Sequence, residues 1–543
     1  MTNDESTGQE RLARSGVTMA IGTAASRGTG FLRTVVIAAA MGLTVGDSYN
    51  VANTIPNIIY DLLLGGVLTS VVVPLLVHAE RDGNEEGEAY AQRLLTIVVA
   101  TLSVVSVVGV AIAPQLIRLY TGHRLSPDQF HLATAFARFF LPQVLLYGVG
   151  AVYGAILNTR GSFAAPMWAP VLNNLVVIAA GGLFLAMVTG TPHPGTLSHA
   201  EKLVLEIGTT GGVVLQTVAL VPALRRVGFR HRLRFDWGKA GLGSAGRFAG
   251  WIVVYVLTNQ LGYLVIVKLA IAAGHAQGPN GSGYSPYTYA FILFSLPYAV
   301  IAVTVVTALF PRMSRSAAEG DLPGVSTNLA TGLTTSAVLL VPATVALVAL
   351  GPLIGTVVFD HGHIGLSGAR LIGGTLAGFG IGLVPFSAFQ IQLRAFLATH
   401  DSKTPALINI GITAINVAAD VLLYLVLPAR DKVVGLALGF SISYIVGALV
   451  QGAALRRRFG AFDRPVARTH IRLAFAGIAA AVPTYAAARL LTAGLGLGVE
   501  ASLAAVIVAA LTGGAVFLGL ANRMRIDELG QIRQLIRFGV RPG

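Results

Sequence analysis

Cysteine is absent from the 543 residues of this chain, and charged residues make up only 11% of it. Without cysteine, disulfides, thiolate metal sites and cysteine nucleophiles are excluded. A soluble domain contains roughly a quarter charged residues, so this composition argues against a soluble protein. The chain also lacks the H-E-x-x-H, P-loop and G-x-S-x-G patterns that mark common enzymes. We therefore expect no enzymatic activity, no metal and no resident cofactor.

Hydrophobic residues form 54% of the chain and fall into long runs. A membrane-spanning helix needs about 20 mostly apolar residues, so the runs predict an all-α polytopic membrane protein. Five prolines inside the runs are expected to kink their helices: Pro56, Pro142, Pro297, Pro342 and Pro385. The fourteen predicted segments are 15–43, 47–77, 92–113, 129–158, 165–189, 201–223, 244–272, 285–311, 325–350, 367–397, 404–427, 433–455, 470–492 and 499–521.

The formal net charge is +14, and the basic residues lie in short clusters between the apolar runs. Few aromatic residues lie between the basic residues of these clusters. The clusters therefore favour contact with anionic lipid headgroups over nucleic-acid binding. Short loops rich in lysine and arginine mark the cytoplasmic side of a bacterial inner membrane, so both termini are predicted to be cytoplasmic. The three main clusters are Arg225, Arg226, Arg230, Arg232, Arg234, Lys239 and Arg247; Arg456, Arg457, Arg458, Arg464, Arg468 and Arg472; and Arg523, Arg525, Arg533, Arg537 and Arg541.

Two arginines lie inside the first predicted segment, at positions 27 and 33. Such charges are absent from the apolar core of a signal peptide, so this segment is expected to be retained. Charges within spans are energetically costly and are functional candidates by default. Six residues turn a helix through about 600°, which places Arg27 and Arg33 about 120° apart. The planar guanidinium suits phosphate oxygens, whereas the alternative interpretation is structural pairing with Asp47 or Asp61.

A second group of polar residues lies in the later segments. Asn416 and Asp420 are four residues apart, so they share one face of a helix. A carboxylate and an amide oxygen on one face could ligate a small cation such as Na⁺ or bind a proton. They could equally form a satisfied polar patch with Lys268 as the counter-ion, in which case we expect transport to be nearly insensitive to sodium.

Several stretches of the chain resemble the MviN/MurJ family of lipid II flippases. The segment from Leu141-Pro142-Gln143 to Asn173-Asn174 is the closest in pattern. The stretches that carry the resemblance are Ser26 to Arg33, Ile55-Pro56-Asn57, Val73-Pro74, Leu141 to Gln143, Leu157-Asn158, Phe163 to Pro166, Ala169 to Asn174, Pro222 to Gly228 and Phe310 to Arg315.

The resemblance implies two six-helix lobes around a central cavity, followed by two helices that form a groove for a lipid tail. It implies transport of undecaprenyl-diphosphate carrying a disaccharide-pentapeptide, by alternating access, with cell-wall synthesis proteins as further partners. Arg27 and Arg33 match family arginines that contact the diphosphate, and Asp47 matches a family aspartate. Asn57, Tyr60 and Asp61 complete the expected substrate-binding set. The implied organisation is an N-terminal tail at 1–14, a first lobe at 15–224, a basic linker at 225–243, a second lobe at 244–458, the lipid-tail helices at 459–522 and a tail at 523–543.

The chain departs from the family pattern at several cavity positions. Thr34 stands where members often have an aspartate, and Tyr60 and Ile292 stand where they have arginines. Gly65 replaces a family glutamate. Asn416 and Asp420 are similar to a sodium-site pair of some members, but the partner aspartate of that site falls near Val267 or Lys268.

Two other functions stay open on the sequence. The first is export of another polyprenyl-linked glycan or of a cationic drug, although a carrier of cations would present acidic rather than basic residues. The second is a membrane scaffold for cell-wall proteins that transports nothing. A scaffold would have little reason to retain charges within its spans.

Overall fold

The computed structural model describes residues 3–62, 84–232, 234, 246–278, 281–460 and 466–526, with side chains at 21–60, 87–232, 234, 250–278, 281–460 and 466–526. Every regular element in these ranges is helical. The ends of several predicted segments and most of the 225–243 linker lie outside them. The helices are α1 (Asn3–Leu62), α2 (Asn84–Ala111), α3 (Ala113–Thr121), α4 (Pro127–Phe140), α5 (Gln143–Thr159), α6 (Ala164–Met187), α7 (His199–Val218), α8 (Val221–Arg226), α9 (Gly246–His275), α10 (Tyr284–Pro297), α11 (Val303–Ala318), α12 (Leu322–Phe359), α13 (Gly365–Ile381), α14 (Leu383–Ala398), α15 (Lys403–Val426), α16 (Lys432–Phe459), α17 (Val466–Leu495) and α18 (Val499–Arg523).

The helices of the described ranges are long and apolar enough to provide twelve membrane spans, or thirteen if the bent pair α13–α14 crosses once. One of the twelve, Ile21–Tyr60, has 40 residues. At about 1.5 Å per residue that is roughly 60 Å, twice the thickness of a bilayer core. Gly42 interrupts it with φ 64° and ψ −165°, a backbone conformation that favours glycine. If the span Ile21–Tyr60 crosses the membrane twice, the count of thirteen spans rises to the predicted fourteen. The all-α polytopic fold is confirmed.

Local sequence explains where several helices begin and break. Ser126 accepts a hydrogen bond from the Gln129 amide, and the Gln129 side chain accepts one from the Ser126 amide. This reciprocal cap begins α4. The predicted fourth segment is then interrupted between Phe140 and Gln143, at Pro142. Pro297 is likewise followed by a π-helical turn that separates α10 from α11, as expected where a proline removes a backbone donor.

The chain divides into two compact units, Met1–Gln260 and Leu261–Gly543. In the first unit α1 packs on α4 and α6, α6 packs on α7, and α2 packs on α5. In the second unit α12 packs on α13, α15 packs on α16, and the pair α17–α18 packs on α12. The division falls inside α9, and the domain limits implied by the resemblance stay a prediction.

An aromatic cluster joins four helices of the second unit. Phe294 of α10, Phe379 of α13, Phe386 of α14, and Phe440 and Tyr444 of α16 lie with ring centroids 4.6–5.6 Å apart in the contacting pairs. Aromatic pairs of this kind contribute about 0.5–1.5 kcal/mol each beyond the burial of their area. The cluster therefore holds α10, α13, α14 and α16 together.

A glycine seam runs between α12 and α13. A Cβ atom added to Gly355 would collide with the carbonyl oxygen of Ala369, and one added to Gly373 would collide with that of Gly351. The two backbones are therefore in direct contact. Small residues permit such close approach of helices in membranes, where dispersion contacts replace the hydrophobic driving force.

The first residues of the basic linker are docked on the first unit. We call the described residues 227–232 and 234 the strap. Arg160 of α5 donates a hydrogen bond of 2.9 Å to the carbonyl oxygen of Val227 and lies 5.7 Å from the ring centroid of Phe229. Phe229 is buried against α2 and α5. The strap is therefore anchored by an apolar side chain and a cation–π contact.

Three polar side chains on one face of α2 bind the strap further along. The Arg230 amide donates to Glu88 at 3.2 Å, and the Arg230 carbonyl accepts from Gln92 at 2.8 Å. The Arg234 amide donates to the Thr96 hydroxyl at 3.0 Å, and its guanidinium donates to Gln92 at 3.0 Å. Glu88, Gln92 and Thr96 are spaced by four residues, so they align along the helix. They fix the strap through its backbone.

Replacing Gln92 with alanine removes two of these hydrogen bonds. Each is worth about 1 kcal/mol, so we expect amide hydrogens of the strap to exchange about tenfold faster or more. Hydrogen exchange read by mass spectrometry on the strap peptide measures this. Thr101→Ala, at an exposed position of the same helix, is the control and should leave exchange unchanged. An unchanged rate in Gln92→Ala would show that the Gln92 hydrogen bonds do not hold the strap and that its other contacts suffice.

Candidate functional site

Arg27 and Arg33 lie on α1 within the span Ile21–Tyr60. The side chain of Arg27 is exposed and that of Arg33 is half-buried. Among the residues whose side chains are described, neither arginine forms an ion pair with a carboxylate. The side chain of Asp61 lies outside the described residues, so its predicted pairing is not addressed. Two guanidinium groups without a described carboxylate partner can accept an anion.

Asn174 of α6 fixes the turn of α1 that carries Arg27. Its amide donates to the carbonyl oxygen of Ser26 at 3.1 Å and to the hydroxyl of Thr29 at 3.0 Å. A Cβ atom on Gly30 would lie 3.4 Å from the same amide nitrogen, so glycine there lets the two helices approach. These bonds set the rotation of α1 and hence the direction in which its arginines project.

Asn173 makes the equivalent link to the next helix. Its amide donates to Gln216 of α7 at 3.1 Å. A Cβ atom on Gly212 of α7 would collide with the Asn173 side-chain oxygen. The asparagine pair that carries the strongest part of the family pattern therefore bridges α1, α6 and α7. Sequence reasoning treated the pair as a signature and missed this supporting role, although two adjacent amides in an apolar run are a signal of buried hydrogen bonds.

Aromatic and polar residues of α1, α5 and α7 contact one another within electrostatic range of Arg33. The Tyr49 hydroxyl is 2.8 Å from that of Thr209, and both side chains are buried. The charge of Arg33 acts on the hydroxyls of Tyr49 and Tyr147. Tyr147 in turn contacts Tyr60, with ring centroids 4.8 Å apart. Tyr60 of the predicted set thus contacts Tyr147, a residue within electrostatic range of Arg33 that sequence reasoning did not single out.

The other predicted residues of this group lie on the second part of α1. Asp47 is buried, with 2% of its surface exposed. Asn57 is half-buried and follows Pro56, which lies within the helix. No described contact joins Asp47 or Asn57 to the arginines, so their roles in binding stay predictions.

The second predicted group lies on α15 of the second unit. The Asn416 amide donates to one oxygen of the Asp420 carboxylate at 3.1 Å. Asp420 is fully buried, and its other oxygen has no hydrogen-bond partner among the described residues. Lys268 of α9 is half-buried. In the described part of the chain Lys268 and Asp420 do not form the ion pair of the second alternative, and the contact of Asp420 is with Asn416.

Gly439 of α16 packs directly on this carboxylate. A Cβ atom there would collide with the free oxygen of Asp420. Gly439→Ala is therefore expected to lower the free energy of unfolding by about 1–3 kcal/mol through overpacking. Thermal unfolding of the purified protein measures this. Gly411→Ala, on α15 with no atom within 4 Å of the added Cβ, is the matched control and should be neutral or stabilising. Equal stability of the two variants would contradict the packing.

The family model described as "Lipid II flippase MurJ" matches residues 37–508. The lipid II flippase MurJ of Burkholderia cenocepacia is 28% identical over 453 residues, which cover 82% of this chain and 84% of the relative. The probable lipid II flippase MurJ of Rhizobium meliloti is 26% identical over 543 residues, 97% of each chain. Arg27 and Arg33 precede the range of the family model.

Solved structures agree on the fold. A structure titled "Lipid II flippase MurJ, inward closed conformation" has a TM-score of 0.75 at 19% identity and covers 94% of this chain and all of its own. An inward-facing MATE family multidrug transporter of the MOP superfamily has a TM-score of 0.58 at 17% identity, covering 80% of this chain and 99% of its own. Because the family model matches most of its length, this multi-pass membrane protein belongs to the MurJ family of lipid II flippases.

Proposed function

We propose that this protein translocates lipid II across the membrane by alternating access, as a transporter and not an enzyme. The observation that carries the proposal is the match of most of the chain to the lipid II flippase family. Two arginines within a span, without a described carboxylate partner, support it, because the diphosphate of the substrate is an anion. The MATE-like fold supports a transport cycle of the same general type.

In this proposal Arg27 and Arg33 bind the diphosphate. The guanidinium group donates several hydrogen bonds in a fixed plane, which matches phosphate oxygens. Asn174 supports the geometry by tying the turn at Ser26 to α6. Asp47, Asn57, Tyr60 and Asp61 are proposed to contact other parts of the headgroup.

We propose a bacterial cytoplasmic membrane as the location, with both termini inside. The exposed arginines of the strap and of the turn before it support this orientation, since cytoplasmic loops concentrate such residues. The same side chains are proposed to contact anionic headgroups. Cell-wall synthesis proteins remain the predicted protein partners. The exposed arginines are Arg225, Arg226, Arg230 and Arg232.

We further propose that Asn416 and Asp420 hold a cation or a proton during the cycle. A buried carboxylate oxygen without a hydrogen-bond partner is costly unless a positive species compensates it. The amide oxygen of Asn416 faces the same side of α15 and is the second available ligand. Sodium and protons are the two alternatives. Lys268, which forms no described pair with Asp420, is not required by either.

The test of the function is depletion in the native bacterium. We expect lipid II to accumulate with its headgroup on the cytoplasmic side, measured by protection from a headgroup-cleaving enzyme added outside. Re-expressing the wild-type chain restores exposure, and re-expressing the Arg27→Ala, Arg33→Ala variant at an equal level does not. Normal exposure after depletion would favour the scaffold hypothesis. Accumulation of a different polyprenyl-linked glycan would favour the other exporter.

A further inference from the structure

An aromatic pair in the first unit joins α5 to α1, the helix that carries Arg33. Tyr60 of α1 and Tyr147 of α5 have ring centroids 4.8 Å apart and planes inclined at 49°. Both side chains are half-buried, so part of each ring is accessible. Arg33 lies within electrostatic range of the Tyr147 hydroxyl. An aromatic pair and a group suited to bind phosphate therefore lie in the same part of the first unit.

A chain of hydrogen bonds holds this pair in place. The Tyr147 hydroxyl donates to the Gln143 side-chain oxygen at 3.3 Å, and Gln143 is completely buried. The Gln143 amide donates to the Thr210 hydroxyl at 2.9 Å, which donates to the Phe139 carbonyl oxygen at 2.8 Å. Each link fixes the one before it. The orientation of Tyr147, and through ring contact that of Tyr60, is therefore set before any ligand arrives.

A neighbouring aromatic group shows what purely structural packing looks like in this unit. Tyr49, Phe136 and Phe140 contact one another with centroids 5.3–5.7 Å apart. Their exposed fractions are 5%, 0% and 0%. Contacts within the protein therefore cover nearly all the surface of these three rings. Tyr60 and Tyr147 are also anchored, but they keep accessible ring surface.

We propose that Tyr60 and Tyr147 form a platform for the sugar attached to the diphosphate of the substrate. The inference rests on the proposed function, because the sugar follows directly after the phosphates that Arg33 would bind. A sugar ring is uncharged and presents C–H groups on its face, which pack on the negative face of an aromatic ring. Arg33 thus recognises the charge, and the tyrosine pair recognises the first sugar.

The test compares two ligands that differ only in the sugars and peptide. Purified protein is titrated with lipid II and with undecaprenyl diphosphate, and both dissociation constants are measured. Tyr60→Ala is expected to weaken lipid II binding about 3- to 10-fold, while binding of undecaprenyl diphosphate changes less than twofold. Tyr60→Phe keeps the ring and should restore affinity to within about threefold. Leu425→Ala, at an exposed position of α15, is the control and should leave binding of both ligands unchanged.

A second variant covers the case in which Tyr60→Ala does not fold. Tyr60→Leu keeps an apolar contact with Tyr147 but has no aromatic face, and the same selective loss is expected. Equal weakening for both ligands, or no weakening for lipid II, overturns the platform. Wild-type protein that binds the two ligands equally also overturns it and leaves the diphosphate site standing. Binding of neither ligand refutes the proposed function and the platform together.

Discussion

Replacing both Arg27 and Arg33 with alanine is expected to weaken lipid II binding by about a hundredfold or more. Hydrogen bonds between charged groups contribute about 1.5–3 kcal/mol each, and 1.4 kcal/mol corresponds to a factor of ten. Neither arginine has a described carboxylate partner whose charge the substitution would leave unpaired. The effect should therefore appear in substrate affinity and not in stability. Titration with lipid II and thermal unfolding without ligand measure the two separately.

Two controls test whether the loss of affinity comes from the guanidinium groups of Arg27 and Arg33. Arg→Lys at either position keeps the charge but loses the planar group, so partial recovery of affinity is expected. Arg370→Ala removes an exposed arginine from α13 in the second unit and should not change binding. Unaltered affinity in the double variant, at normal expression, would remove these arginines from the binding site.

Collapsing the membrane potential is expected to reduce export of the headgroup strongly. The cell interior is electrically negative, so outward movement of the diphosphate is favoured. Each charge that crosses 100 mV contributes about 2.3 kcal/mol, or roughly 4–5 kcal/mol for a diphosphate. That free energy corresponds to about three orders of magnitude in the equilibrium ratio of outside to inside headgroups. After the substrate leaves, the positively charged Arg27 and Arg33 would move back toward the cytoplasm, and the same membrane potential favours that movement.

The measurement uses cells in which an ionophore removes the potential while proton and sodium gradients are held fixed. Headgroup exposure is followed with time after the collapse. The reciprocal control removes the sodium gradient at constant potential. Export that continues at its original rate without the potential would contradict this account and would point to ion exchange at Asn416 and Asp420.

Much of the architecture was predictable because its signals are local. Runs of apolar residues located the spans, since a bilayer requires a minimum length of them. The structure interrupts the helices at Pro142 and after Pro297, where a proline removes a backbone donor. Pro56 and Pro342 lie inside continuous helices. The fold is confirmed to the extent that its segments are described.

The contacts of the candidate site were not predictable in the same way. Tyr147, Gln143 and Thr210 lie in ordinary helical runs, and nothing in their spacing distinguishes them from packing residues. Their importance comes from contacts between α5 and α7, 67 positions apart in the case of Gln143 and Thr210. Whether Lys268 and Asp420 form an ion pair also depends on contacts between helices that are distant in sequence. Residue types suggested opposite charges, but only the packing of α9, α15 and α16 decides which side chains meet.

The glycine seam between α12 and α13 has a mechanical consequence. Most helix pairs can slide slightly, because side chains at the interface change rotamer and absorb the shift. At Gly351, Gly355 and Gly373 there are no side chains to adjust, and the backbones already touch. Helices α12 and α13 must therefore move together as a rigid pair when the second unit changes conformation. This rigid pair can rotate at the 50° bend between α13 and α14, next to Gly382.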